Sequence, residues 1–167
     1  MVIPVPYRSV QRVYFDDLDA LNILHNVRFL LFIERARGEL FNTMGFRWQD
    51  DLAQNPDKFH VIAEHTIRYL QPFRGEGELC VELSPTHLGT TSMIIGARVS
   101  SVDGQERYAE GATRLVRLDP VSFKPTTWSE KMRGIVGPMV QAVEAKRAAR
   151  TGMLPPHERE LADGGRK

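Results

Sequence analysis

The sequence contains a single cysteine, Cys80, so no disulfide can form within the chain. A fold stapled by cystines is excluded, and the composition fits a reducing compartment. Charge of one sign is not in excess either: 22 Lys and Arg face 21 Asp and Glu, for a formal net charge of +1. That balance leaves no general electrostatic footprint for nucleic acid or an anionic membrane, although an anionic ligand would need only a few basic side chains. Long apolar runs are missing. Nothing approaches the roughly 18 apolar residues of a membrane span. The opening MVIPVPYRSVQR holds no stretch apolar enough for a secretory signal, and a cytoplasmic protein is expected.

Familiar catalytic signatures are absent as well. There is no G-x-S-x-G elbow, no phosphate-binding P-loop, no G-x-G-x-x-G and no H-E-x-x-H. His60 and His65 lie five apart on a predicted strand, which points them to opposite faces, so no shared metal is expected. Cys80 shares its strand face with Glu78 and Glu82, a poor setting for a thiolate, and reads as structural.

What is present suits one globular domain: 167 residues, of which 42% are hydrophobic. Residues 8–15 are rich in strand formers. Phe29, Phe32, Ile33, Ala36 and Leu40 then recur at i, i+3, i+4, i+7 and i+11, the spacing of one helix face. This predicts a helix over 27–43 that ends near Gly45, with Asn26 as its N-cap. From His60 the period changes to two, with Val61, Ala63, His65, Ile67 and Tyr69 on one face. Further strands follow around Leu79–Leu83, over 91–101 and over 106–119, with Asp103-Gly104 marking a hairpin. The order is strand, long helix, four strands in meander. It predicts an α+β fold in which one antiparallel sheet wraps around one central helix. Residues 1–130 are assigned to this domain and 131–150 to a helical extension, its helix opening at Pro138. Residues 151–167 are read as a polar, mobile tail.

The densest polar block is Asp16, Asp17, Asp19, Asn22, His25 and Asn26, immediately before the apolar helix. Acids near a helix N-terminus complement its dipole, which accounts for part of this block. Asp19, however, lies seven residues before Asn26, too far for ordinary capping. A segment crossing the mouth of a buried helix can instead hold a carboxylate against a substrate.

The stretch from Asp17 to Phe29, followed by Leu30, Phe32, Glu34, Ala36 and Arg37, resembles the signature of the 4-hydroxybenzoyl-CoA thioesterase-like hot-dog family. In outline that signature runs D-x-D-x-x-G-H-V-x-N-x-x-Y, then an apolar helix with E-x-A-R. The match is ungapped from Asp17 to Arg37, and the strand–helix–four-strand order with Tyr69-Leu70-Gln71-Pro72 extends it over roughly 8–130. The resemblance implies a single hot-dog domain that hydrolyses an acyl thioester of coenzyme A or an acyl carrier. Asp19 falls on the family's carboxylate, acting as nucleophile or as general base. The backbone N–H of Asn26 falls where the thioester carbonyl is polarised. Asn22-Ile23 replaces the family's Gly-His, and His25, two residues later, is a candidate to compensate or a positional polar residue. Asn22 and Phe29 are expected at the substrate. His65 is either an interior histidine or a further substrate contact. Glu34 and Arg37 read as a helix ion pair. The resemblance also implies a homodimer or homotetramer whose sheets join edge to edge, and no cofactor. Two alternatives stay open: an acyl-thioester hydratase or dehydratase, and an acyl-CoA binding or sensing domain without turnover.

Overall fold

The computed structural model describes residues 3–151. The elements are β1 (Tyr7–Val13), α1 (Asn26–Thr43), β2 (His60–Tyr69), β3 (Gly77–Leu88), β4 (Ser92–Ser100), β5 (Arg107–Arg117) and α2 (Glu130–Thr151), with short 3-10 turns at Phe15–Asp17 and Pro56–Lys58. The five strands form one antiparallel sheet, in keeping with the α+β reading.

Each strand sorts its residues by the alternation of the pleat. Val81 and Leu83 of β3 stand opposite Val99 and Ala97 of β4, and Met93 of β4 stands opposite Leu115 of β5. These side chains and the helix face of Phe29, Phe32, Ile33, Ala36 and Leu40 belong to one buried cluster. Burying a side chain of this size stabilises by about 1.5–3 kcal/mol, so this face is what holds α1 in place. Gln11 Nε2 donates to the Phe32 carbonyl at 2.9 Å and ties β1 to the same helix. α1 ends at Thr43, and Gly45 follows at φ 79°, a left-handed position where glycine avoids the Cβ clash. The expected Glu34–Arg37 pair forms, with Arg37 Nε donating to Glu34 Oε1 at 3.1 Å.

Four expectations are corrected. The last four strands are not a simple meander: the order is β1-β3-β4-β5-β2, so β2 lies against β5 and not against β3. The chain returns across the sheet between Tyr69 and Gly77, and β1 takes the place beside β3. Second, β2 carries a bulge between Ile62 and Glu64. An extra residue inverts the alternation downstream. Ile62 therefore joins His65, Ile67 and Tyr69, and His60 and His65 share a face instead of opposing each other. Third, His25, not Asn26, caps α1, because Nδ1 of His25 accepts from the Val27 N–H and Asn26 is already helical.

Fourth, α2 begins eight residues before Pro138, so Pro138 lies inside it. Its start is set by Ser129, whose hydroxyl oxygen accepts from the Met132 N–H at 3.1 Å. Ser129 is itself held by buried Asp57, which accepts from its N–H at 3.0 Å and from its hydroxyl. Arg117 Nε stands 3.0 Å from the same carboxylate. Met132, Val136 and Met139 are buried on one side, while Pro138 is on the exposed side. α2 packs against β3. The polar tail expected from 151 onward lies, beyond Thr151, outside the described residues.

His60 sits beneath this joint. Its ring packs against Phe41, Trp48 and Trp128. Nδ1 lies 2.6 Å from the Asp57 carbonyl and Nε2 lies 3.1 Å from Arg37 Nη1. A carbonyl only accepts and a guanidinium only donates, so the ring is neutral with its proton on Nδ1. Burial pushes the pKa of His60 below its ordinary 6.5.

Candidate active site

The polar block folds into a tight loop across the start of α1. Asp17 is buried, and its Oδ2 accepts from the Tyr14 N–H at 2.9 Å while Arg28 Nε stands 3.4 Å from Oδ1. The His25 N–H donates to the Asp17 carbonyl at 3.0 Å, closing the loop at its base. Within the loop, Asp19 Oδ1 accepts from the N–H groups of Leu21 at 2.8 Å and Ile23 at 3.2 Å. The Asp19 N–H donates to the Ile23 carbonyl at 2.8 Å. These bonds hold the carboxylate by one oxygen, and Oδ2 accepts nothing from the described residues.

Asn22 takes a φ of 58°. That left-handed conformation suits glycine, and asparagine tolerates it best among residues with a longer side chain. The loop is then docked onto the segment between β2 and β3. Gly75 N–H donates to the Asn22 carbonyl at 3.0 Å, and Leu24 N–H donates to the Phe73 carbonyl at 2.9 Å.

A cavity of about 360 Å³ opens between the loop, the first turn of α1 and the end of β2. Asp19, His25, Asn26 and Phe29 line it, together with Tyr69 and Pro72. Four of the residues singled out in the sequence therefore meet at one place. Asn22 does not line the cavity; it shapes the turn. His65 does not line it either. It is exposed on the edge strand β2, with Nδ1 3.0 Å from Thr113 Oγ1, and is not an interior histidine. The strand order leaves β2, among the described residues, with no neighbour on its far side.

Tyr69 was missed as a site residue. Its hydroxyl donates to the Asn26 carbonyl at 3.0 Å, and its ring meets Phe29 edge to face at 5.5 Å. The signal for it was the strand end Tyr69-Leu70-Gln71-Pro72, which marks where the chain stops but not what the phenol reaches.

The start of α1 supplies the electrostatics. First-turn N–H groups have no partner within their helix. Here Val27 N–H points to His25 Nδ1 at 3.4 Å and Arg28 N–H to the His25 carbonyl at 2.8 Å. The Asn26 N–H makes no hydrogen bond with the described residues. Capping through Nδ1 leaves the proton of a neutral His25 on Nε2. A carboxylate, a free backbone donor and a mostly apolar wall thus border one cavity. Such a set can polarise a carbonyl and either attack it or activate water against it. Among the described residues, no three His, Cys, Asp or Glu side chains converge as metal ligands.

Comparison with known proteins bears directly on this arrangement. The acyl-CoA thioester hydrolase YbgC of Escherichia coli O6:H1 is 27% identical over 119 residues, covering 71% of this chain and 87% of its own. The acyl-CoA thioesterase YbgC of Haemophilus influenzae is 24% identical over 122 residues, covering 73% and 88%. Among solved structures, a Thermus thermophilus thioesterase complexed with coenzyme A and Zn superposes with a TM-score of 0.67 at 27% identity, covering 81% of this chain and 95% of that one. A 1,4-dihydroxy-2-naphthoyl-CoA thioesterase from Synechocystis shares the fold at 14% identity, with a TM-score of 0.68 and coverage of 78% and 94%. The thioesterase superfamily profile matches residues 21–108, which include His25, Asn26, Phe29 and Tyr69 and begin two residues after Asp19. With more than half its length matched, and with the helix start and cavity wall inside the match, this chain belongs to the thioesterase superfamily.

Proposed function

We propose that the protein hydrolyses acyl-CoA thioesters to the free acid and the coenzyme A thiol. The observation that carries this reading is the meeting on one cavity of Asp19 and Asn26, whose N–H makes no hydrogen bond with the described residues. The thioester carbonyl gains negative charge on attack, and the Asn26 N–H would accept that charge at the positive end of α1. One such donor is worth about 3 kcal/mol of barrier. Asp19 either attacks the carbonyl carbon or takes a proton from an attacking water. The carbonyl carbon–sulfur bond then breaks, and the thiolate leaves with the electron pair and takes up a proton; where Asp19 is the nucleophile, water then cleaves the acyl–Asp19 anhydride to release the free acid and the carboxylate. Phe29, Ile23 and Leu70 offer the apolar wall for the acyl group. His25, through Nε2–H, is a second donor in this reading.

The relatives named as acyl-CoA hydrolases support the substrate class. The phosphopantetheine arm shared by coenzyme A and acyl carrier protein makes either a fitting carrier. We further propose assembly of two or four copies through β2. This strand is the sheet edge beyond β5, and Val61 and Ile62 on it are 46% and 39% exposed. Edge-to-edge pairing would cover a strand that otherwise invites aggregation. The single cysteine and the bacterial relatives are in keeping with a cytoplasmic location.

Thiol release from short, long and aromatic acyl-CoAs, with wild type beside Asp19→Asn, tests the reading. Asparagine keeps an oxygen for the Leu21 and Ile23 N–H groups, so the loop should hold. A loss of about 100-fold or more in kcat is expected. Equal activity in the variant would remove Asp19 from the mechanism. Binding of acyl-CoA by wild type without thiol release would favour a binding domain instead.

A further inference from the structure

Tyr69 is the last residue of β2, and its phenol crosses from that strand to the start of α1. The hydroxyl donates to the carbonyl of Asn26 at 3.0 Å. Asn26 is the first helical residue and lines the cavity, and its N–H makes no hydrogen bond with the described residues. His25, Asn26 and Val27 are exposed, and the cap from His25 to the Val27 N–H is long at 3.4 Å. Helix ends of this kind fray. The Tyr69 ring is fixed at its other side, edge to face on buried Phe29.

Resting on the hydrolase reading above, we infer that Tyr69 is a positioning residue: by holding the Asn26 carbonyl, which belongs to the Asn26–Val27 peptide, it fixes the Asn26 Cα in the first turn and so keeps the Asn26 N–H, on the preceding peptide plane, aimed at the thioester oxygen. A donor stabilises the transition state only when it is held within a few tenths of an ångström of the developing charge. The ground-state carbonyl carries less charge and tolerates a looser donor. Loss of the phenol hydroxyl should therefore lower kcat and leave substrate binding nearly untouched. A merely structural tyrosine would lower stability and affect both constants together.

The experiment compares wild type, Tyr69→Phe and Asp19→Asn in thiol release from an acyl-CoA series, with thermal melting and amide hydrogen exchange on the same samples. Tyr69→Phe keeps the ring and its contact with Phe29, so the melting temperature should stay within about 2 °C. Its kcat should fall about three- to tenfold, the effect of one neutral hydrogen bond, with KM within about twofold. Amides of residues 27–30 should exchange several-fold faster, while those of 32–43 are unchanged. A kcat equal to wild type, a loss confined to KM, or unchanged exchange in the first turn overturns the inference and leaves the hydrolase reading standing. Absence of thiol release from wild type on the whole series overturns both.

Discussion

Asn26 contributes to the proposed chemistry through its main chain, so its side chain is the wrong group to alter. Proline is the informative substitution, because it deletes the N–H alone. The first helical position accepts proline, whose missing donor has no helical partner there. His25 precedes it at φ −60° and ψ 134°, an extended conformation that a following proline requires. Asn26→Pro should fold, with melting close to wild type, and lose about 100-fold or more in kcat, whereas Asn26→Ala should stay near wild type in rate. Steady-state kinetics with a melting curve for each variant checks this. His60 answers to pH for a different reason. Its folded-state pKa lies below 6.5, mainly through burial, so the unfolded chain takes up the proton first. The stability from the neutral ring is complete above about 6.5 and is lost as pH falls from there toward the depressed value. Urea midpoints should drop as pH falls below about 6.5, and His60→Gln should flatten that drop.

At the level of elements, small residues show where packing overrides local preference. Gly111 on β5 allows β2 to pass close by, since a methyl group there would overlap the Thr66 carbonyl oxygen. Glycine in α2 has no such task. A methyl group at Gly134 or Gly137 would meet nothing within 4 Å. Both glycines only give the unfolded chain extra freedom to lose. Gly134→Ala with Gly137→Ala should therefore raise unfolding stability by about 1–2 kcal/mol, measured by urea denaturation. The helix persists through these glycines and Pro138 because Ser129 caps it onto Asp57 and because Met132, Val136 and Met139 are buried. That explains why a reading from propensity places its start too late.

At the scale of the whole molecule, β2 is the exposed flank. Its residues beyond His60 are mostly exposed, although the strand sits beside the helix start through Tyr69. If a second copy pairs with this edge, charge placed along it should prevent the pairing. Val61→Lys combined with Thr66→Lys should yield a monomer by light scattering, and thiol release should fall by about tenfold as the end of β2 loosens. Retention of the wild-type mass would place any assembly on another surface.

Several features of this protein were legible in its residues alone. The α1 core face follows from side chains spaced at 3.6 residues, and the strands follow from alternation, because each pattern is written within a single element. The polar block around Asp19 stood out in the residues, but its assignment to a site came from the family resemblance and not from spacing, and the loop is held partly by distant partners, Phe73 and Gly75. Other features needed the chain to be folded. The pairing of β2 with β5 joins residues roughly fifty positions apart, and nothing in the period of either strand names its neighbour. The bulge before Glu64 reverses which histidine faces where, yet it leaves no mark on composition. His25 became the cap because the loop delivers its Nδ1 to Val27, while Asn26 next to it has the better intrinsic preference. Tyr69 reaches Asn26 across forty-three positions. Local patterns determine which elements form; the contacts that close a site are set by how distant elements are brought together, and only tertiary packing decides that.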